Sequence, residues 1–127
     1  MNLTKYVQDW FRRADDDLKA AGVLLGQNVN ANIICFHSQQ AAEKCLKGFL
    51  AHHEKHARKI HDLEALLEEC LKINSTFEVL KEDARFLNQF YVESRYPDDY
   101  IQFSSSDAEK ALEAGEKIKN FIIQKIK

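Results

Sequence analysis

Proline and glycine are scarce in this chain, one and four in 127 residues, so few breaks interrupt long helices. Alternating apolar and polar residues, the mark of a half-buried strand, run nowhere for a useful length, and no internal repeat appears. No apolar run approaches the roughly 20 residues needed to cross a bilayer. The first residues, MNLTKYVQDWFRR, lack a basic head followed by an apolar core, so no signal peptide is expected and the protein should be cytoplasmic. Cysteine is sparse as well: Cys35, Cys45 and Cys70 cannot all pair and show no CxxC spacing, which points to buried reduced thiols. Neither sign of charge dominates. With 18 basic and 20 acidic residues the net charge is -2, which argues against binding long duplex DNA through overall electrostatics.

What remains is helical periodicity in a chain of single-domain length, residues 1–127. From about Thr4 to Leu25, the residues Val7, Trp10, Phe11, Ala14, Leu18 and Ala21 recur at steps of three or four, as on an amphipathic helix. Gly26 to Asn30 has the composition of a C-cap and turn. A second helix follows from about Ala31 to His53, then a polar, basic loop EKHARKIHD. Asp62 can cap a short third helix, with Leu63, Leu66, Leu67, Cys70 and Leu71 inward. Ser75 and Glu78 form a capping-box pattern for a fourth, with Phe77, Leu80, Ala84, Leu87 and Tyr91 inward. Ser106 and Glu109 repeat the pattern before a fifth, whose stripe is Ala108, Leu112, Gly115, Ile118, Ile122 and Ile126. Pro97 forces the chain out of helix near Tyr96. The expectation is all-α: an up-and-down antiparallel four-helix bundle with an additional short helix, five in all.

The second helix has two kinds of face. His37, Gln40, Lys44 and Lys47 share an arc of roughly 80° at 3.6 residues per turn, while most of the remaining girth is apolar. A helix apolar over that much of its surface belongs at the centre of a bundle. The polar row is then either a solvated face, with Glu43 pairing Lys47 one turn on, or a ridge that holds an anionic ligand or partner.

Two other clusters carry the same ambiguity. His52, His53, Lys55, His56, Arg58, Lys59 and His61 form a basic patch that either is merely solvated or attracts a phosphate. His52 and His56 are four apart, but HEKH is not the HExxH of zinc hydrolases and nothing completes a metal site. Arg95 and Tyr96 beside Pro97 suit a phosphate fork and a base stack, or a structural corner in which Arg95 pairs with Asp98 or Asp99. No triad, Gly-rich phosphate loop or cofactor motif is present. Cys35 and His37 do not face each other on a helix.

Taken together, Trp10, Ala14, Asp17-Leu18 and Ala21, then FHSQQAAEKCLKGFL, His61-Asp62-Leu63 and SRYPD, resemble the HEPN domain in order and spacing across the chain. The resemblance implies a helical bundle that forms a homodimer, with a cleft between protomers for nucleotide or RNA. It also implies a nucleotidyltransferase partner protein in a toxin–antitoxin pair. Many relatives are metal-independent ribonucleases marked by Arg, four to six residues, then His. Here Arg85 is present, but Tyr91 stands where the histidine is expected, and a phenol titrating near 10 is a poor general base.

The resulting expectation is a phosphate-binding protein in which His37, Lys44, Lys47 and Arg95 contact phosphate. Gln40 hydrogen-bonds the ligand and Tyr96 stacks, with no metal or cofactor. An RNA-cleaving toxin using Arg85, with Tyr91 or a histidine of the 52–61 loop moving protons, is the alternative. A non-catalytic dimeric adaptor is the third reading.

Overall fold

The structure, a computed structural model, describes residues 3–27, 30–56, 59–91 and 100–127. Among them are five α-helices: α1 (Lys5–Gly26), α2 (Ala31–His52), α3 (Leu63–Ile73), α4 (Lys81–Asn88) and α5 (Ser105–Ile126). A short 3-10 helix, Ser75–Leu80, leads directly into α4.

Helix α2 is the centre of the molecule. It packs along α1 and α5 and against α3 and α4, and 14 of its 22 residues are buried. Helix α1 runs antiparallel to both long neighbours. Phe11 lies against Gly48 and Asp17 against Lys44 on one side, and Asp15 meets Lys119 on the other. It follows that α2 and α5 run parallel. Glycine is used where helices come closest: a Cβ on Gly115 would stand 3.2 Å from the Ser38 carbonyl oxygen and from Leu18 Cδ2. Helices α3 and α4 form an antiparallel hairpin that packs on α2, with α4 also against α5. Its open end is tied by Asn88, which accepts from the Leu63 N–H at 2.8 Å and donates to Asp62 at 3.0 Å. Aromatic rings fill the space beneath, with Phe77 packed on Phe49 and Phe121.

The helix ends correct several expectations. Asp62 caps α3 as its sequence suggests, accepting from the N–H groups of Glu64 and Ala65. Ser75, in contrast, is not a cap: Asn74 accepts from the Thr76 N–H and starts the 3-10 turn. The capping box of α5 is Ser104 with Asp107, not Ser106 with Glu109. The reason is positional. The Asn32 side-chain amide donates to the Ile101 carbonyl at 2.7 Å and accepts from the Phe103 N–H at 2.8 Å. The chain is therefore held extended up to Phe103, and the first free serine becomes the cap. Helix α4 stops at Asn88, so Tyr91 lies beyond it and Phe90 is the buried ring. On α5, Ala111 and Ala114 are buried while Leu112 is only partly so.

The C-terminus of α2 ends in a Schellman turn. The Lys55 N–H reaches the Leu50 carbonyl and the Glu54 N–H the Ala51 carbonyl, each at 2.9 Å. That geometry needs a left-handed residue, and Glu54 supplies it with φ 58°. Residues 52 and 56 therefore do not share a helical face.

Candidate functional site

The polar row of α2 is a seam between α1, α2 and the segment before α3, and two carboxylates organise it. Asp17 projects from α1 and accepts from Lys44 Nζ at 2.6 Å, with His37 Nδ1 at 2.9 Å on its other oxygen. Residues 37 and 44 are two turns apart on one face of α2, so a single carboxylate between them can reach both. Glu43 does the same a little further along. It pairs with Lys47 Nζ at 2.9 Å and holds His61 Nδ1 at 3.1 Å. The Gln40 side-chain amide donates to Gln39 Oε1 at 2.7 Å, and the side-chain amides of both residues approach Glu43 at 3.5 Å.

The seam is layered. The acid side chains lie underneath, Asp17 at 12% and Glu43 at 6% exposure. Their partners Lys44 (23%), His37 (30%) and His61 (41%) stand outside them. The basic side chains are thus more exposed than the carboxylates they pair with. Lys47 is the exception, with its side chain only 8% exposed. Its ammonium also lies 5.7 Å from the centre of the Trp10 ring, which adds a cation–π attraction to the ion pair. A buried pair of this kind gives little net stability, but removing one partner strands a charge.

His61 links the seam to the end of α4. Its ring stacks on Tyr91 at 4.2 Å with the planes 12° apart, while Glu43 fixes its orientation through Nδ1. Arg85, one face of α4 earlier, is exposed and lies among acids, 3.5 Å from Glu82 and 3.9 Å from Glu64. The thiols are inert by comparison. Burial pushes Cys35 up to about 11 and both Cys45 and Cys70 up to about 12, so none offers a thiolate at neutral pH.

Of the residues singled out in the sequence, His37, Gln40, Lys44 and Lys47 come together with carboxylate partners. Tyr91 joins them through His61. Arg95 and Tyr96 lie outside the described residues. Asp17 and His61 were not assigned to the row by sequence reasoning. The signal for Asp17 was available: a charged residue between Ala14, Leu18 and Ala21 sits on the apolar stripe of α1 and needs a partner inside. Nothing local in the sequence of His61 points to Glu43, because the contact spans 18 positions.

The same arrangement of helices occurs in solved structures. TT1696 from Thermus thermophilus is 31% identical, covers 96% of this chain and 99% of its own, and superposes with a TM-score of 0.85. ST0689, an archaeal HEPN homologue, is 30% identical over 95% of this chain and 98% of its own, with a TM-score of 0.79. No curated protein matches the chain. The HEPN domain pattern matches residues 7–126, which takes in the seam and all five helices but for the first two residues of α1. The chain belongs to the HEPN domain family.

Proposed function

We propose that this HEPN protein binds the phosphate of a nucleotide or of RNA at the α2 seam, in a cleft completed by a second copy of the chain. It would do so as one component of a HEPN/nucleotidyltransferase toxin–antitoxin pair. The observation that carries the reading is the layering of the seam, with buried Asp17 and Glu43 beneath the more exposed Lys44, His37 and His61. The carboxylates hold the nitrogens in place, so little side-chain entropy is left to lose when an anion binds. Lys44 and His37 contact phosphate and Gln40 donates its amide. Lys47 contributes charge from beneath, while Arg95 and Tyr96 enter on the sequence argument alone. Membership of a family that includes nucleotide-binding proteins and ribonucleases supports the same class of ligand.

Fluorescence anisotropy with a labelled single-stranded RNA, and calorimetry with ATP, test this on the wild type and on Lys44→Ala and His37→Ala. Affinity should fall at least about tenfold in each variant, as expected for losing a charge-assisted contact. Equal, negligible binding by all three proteins would sink the reading. Purification with the product of the neighbouring reading frame tests the partner.

One observation favours a second reading, RNA cleavage: an imidazole, His61, is stacked on Tyr91 and held by a buried carboxylate. A histidine so held can take the 2′-hydroxyl proton as that oxygen bonds to phosphorus. It can then return a proton to the departing 5′-oxygen as the P–O bond breaks. Incubating RNA with the pure protein in EDTA decides it, since RNA left intact at high enzyme concentration rejects cleavage.

A further inference from the structure

The basic cluster at the other end of α2 is not part of the seam, and it surrounds a cavity. Between the C-terminus of α2 and helix α3 lies a space of about 270 Å³. Its floor is apolar, made by Leu50, Leu66 and Ile73, and its rim carries Lys55, His56 and Lys72. The single acid on the rim among the described residues, Glu69, is already paired with Lys72 at 3.1 Å. Lys55 and His56 have no ion pair or hydrogen bond from their side chains among the described residues.

The ordinary explanation for basic residues here is the helix dipole. It accounts for only about half an elementary charge at a helix C-terminus. In this molecule the Leu50 and Ala51 carbonyls of the last turn are also already satisfied by the Schellman turn. Lys55 and His56 are thus in excess of what the helix end requires. Glu54, just before them, takes the left-handed conformation, φ 58°, which costs a non-glycine residue free energy.

The geometry points to a binding site for a small organic anion, one with a flat apolar body and a single phosphate or carboxylate group. The body would rest on Leu50, Leu66 and Ile73, and the anionic group would be held by Lys55 and His56. At about 270 Å³ the cavity is just below the usual range of ligand pockets, which begins near 300 Å³. A one-ring ligand fits this size and a dinucleotide does not. The site stands apart from the proposed seam and does not depend on that function.

Phenyl phosphate is the probe, followed by ¹H–¹⁵N NMR of the full chain, with benzoate, benzyl alcohol and inorganic phosphate in parallel. Phenyl phosphate or benzoate should shift the backbone amides of residues 50, 55, 56, 66 and 73. The variant Lys55→Glu/His56→Glu, which puts two carboxylates where the anion would sit, should weaken that binding at least about tenfold. A thermal melt checks that the variant, altered only at exposed positions, is still folded. No shift at these amides up to about 10 mM ligand, a Kd too weak to call a site, overturns the proposal. So does binding that the double variant leaves unchanged. Benzyl alcohol binding as well as phenyl phosphate would refute the anion requirement, and inorganic phosphate binding as well would refute the apolar floor. Shifts confined to residues 37–44 would assign the anion to the seam instead.

Discussion

The chain carries two concentrations of basic side chains, one along the middle of α2 and one past its C-terminus, and they differ in what lies beneath them. Under the seam are two buried carboxylates, each shared between a lysine and a histidine. Under the loop are Leu50, Leu66 and Ile73. In the first place positive charge is matched internally and serves to position nitrogen atoms. In the second, Lys55 and His56 are unmatched by any described side chain. The lesson is that a count of lysines and histidines says nothing about which of them are held in fixed positions and which are left to turn freely. That depends on which acids the fold delivers from elsewhere, here Asp17 from the preceding helix.

This contrast is open to attack by substitution. The largest effect should come from Glu43→Ala, which leaves Lys47 buried without its carboxylate and with the Trp10 ring beside it. Urea denaturation should show a loss of about 3–5 kcal/mol, while Glu43→Leu/Lys47→Met should recover most of it, because a buried ion pair replaced by apolar groups costs little. Asp17→Ala should be milder, roughly 1–2 kcal/mol by the same measurement. Its partners are a quarter to a third exposed and can turn to water. A gain is expected from Glu54→Gly, on the order of 1 kcal/mol, since glycine adopts the left-handed turn without strain. Calorimetry should register it as a melting point a few degrees higher. The smallest effect belongs to Lys55→Ala, within about 0.5 kcal/mol in urea denaturation. A larger loss there would mean that the loop lysine has a structural partner and that the two regions are not opposites.

A separate measurement addresses the thiols. Their folded-state values, raised by burial to about 11 for Cys35 and about 12 for Cys45 and Cys70, lie above that of a thiol in the unfolded chain. The unfolded chain therefore loses its protons first. Stability should be unaffected by these groups below about pH 9 and should decline as pH rises from there toward 12. Alkylation by iodoacetamide, followed by mass spectrometry, should be negligible in the native protein at pH 8 and complete in urea.

The elements were legible where one periodic pattern left no competitor. The spans of α1, α2 and α5 follow from apolar spacing, and the centrality of α2 follows from an apolar girth wider than one stripe. Helix ends were less legible, because capping chemistry is degenerate. Ser104 and Ser106 both stand three residues before an acid, and the choice between them is made by Asn32, some seventy positions away. Similarly, the helical period carries an inward face through to Tyr91, but α4 ends three residues sooner and Phe90 takes the interior. The polar row itself was visible, and so was the Glu43–Lys47 pair. That the pair would be buried rather than solvated required α1 and Trp10 to cover it. The His61 contact with Glu43 is tertiary and has no local trace.

The clamp of Asn32 on Ile101 and Phe103 also bears on how the chain can vary in length. It closes a loop of about seventy residues, inside which the whole α3–α4 hairpin is an excursion from the layer of α1, α2 and α5. Loop-closure entropy rises only logarithmically, so adding ten residues to such a loop costs roughly 0.1 kcal/mol. The α1–α2 connection spans only four residues between Gly26 and Ala31 and has no such latitude. Insertions in this fold should therefore accumulate on one side of the molecule, between the end of α2 and the start of α5.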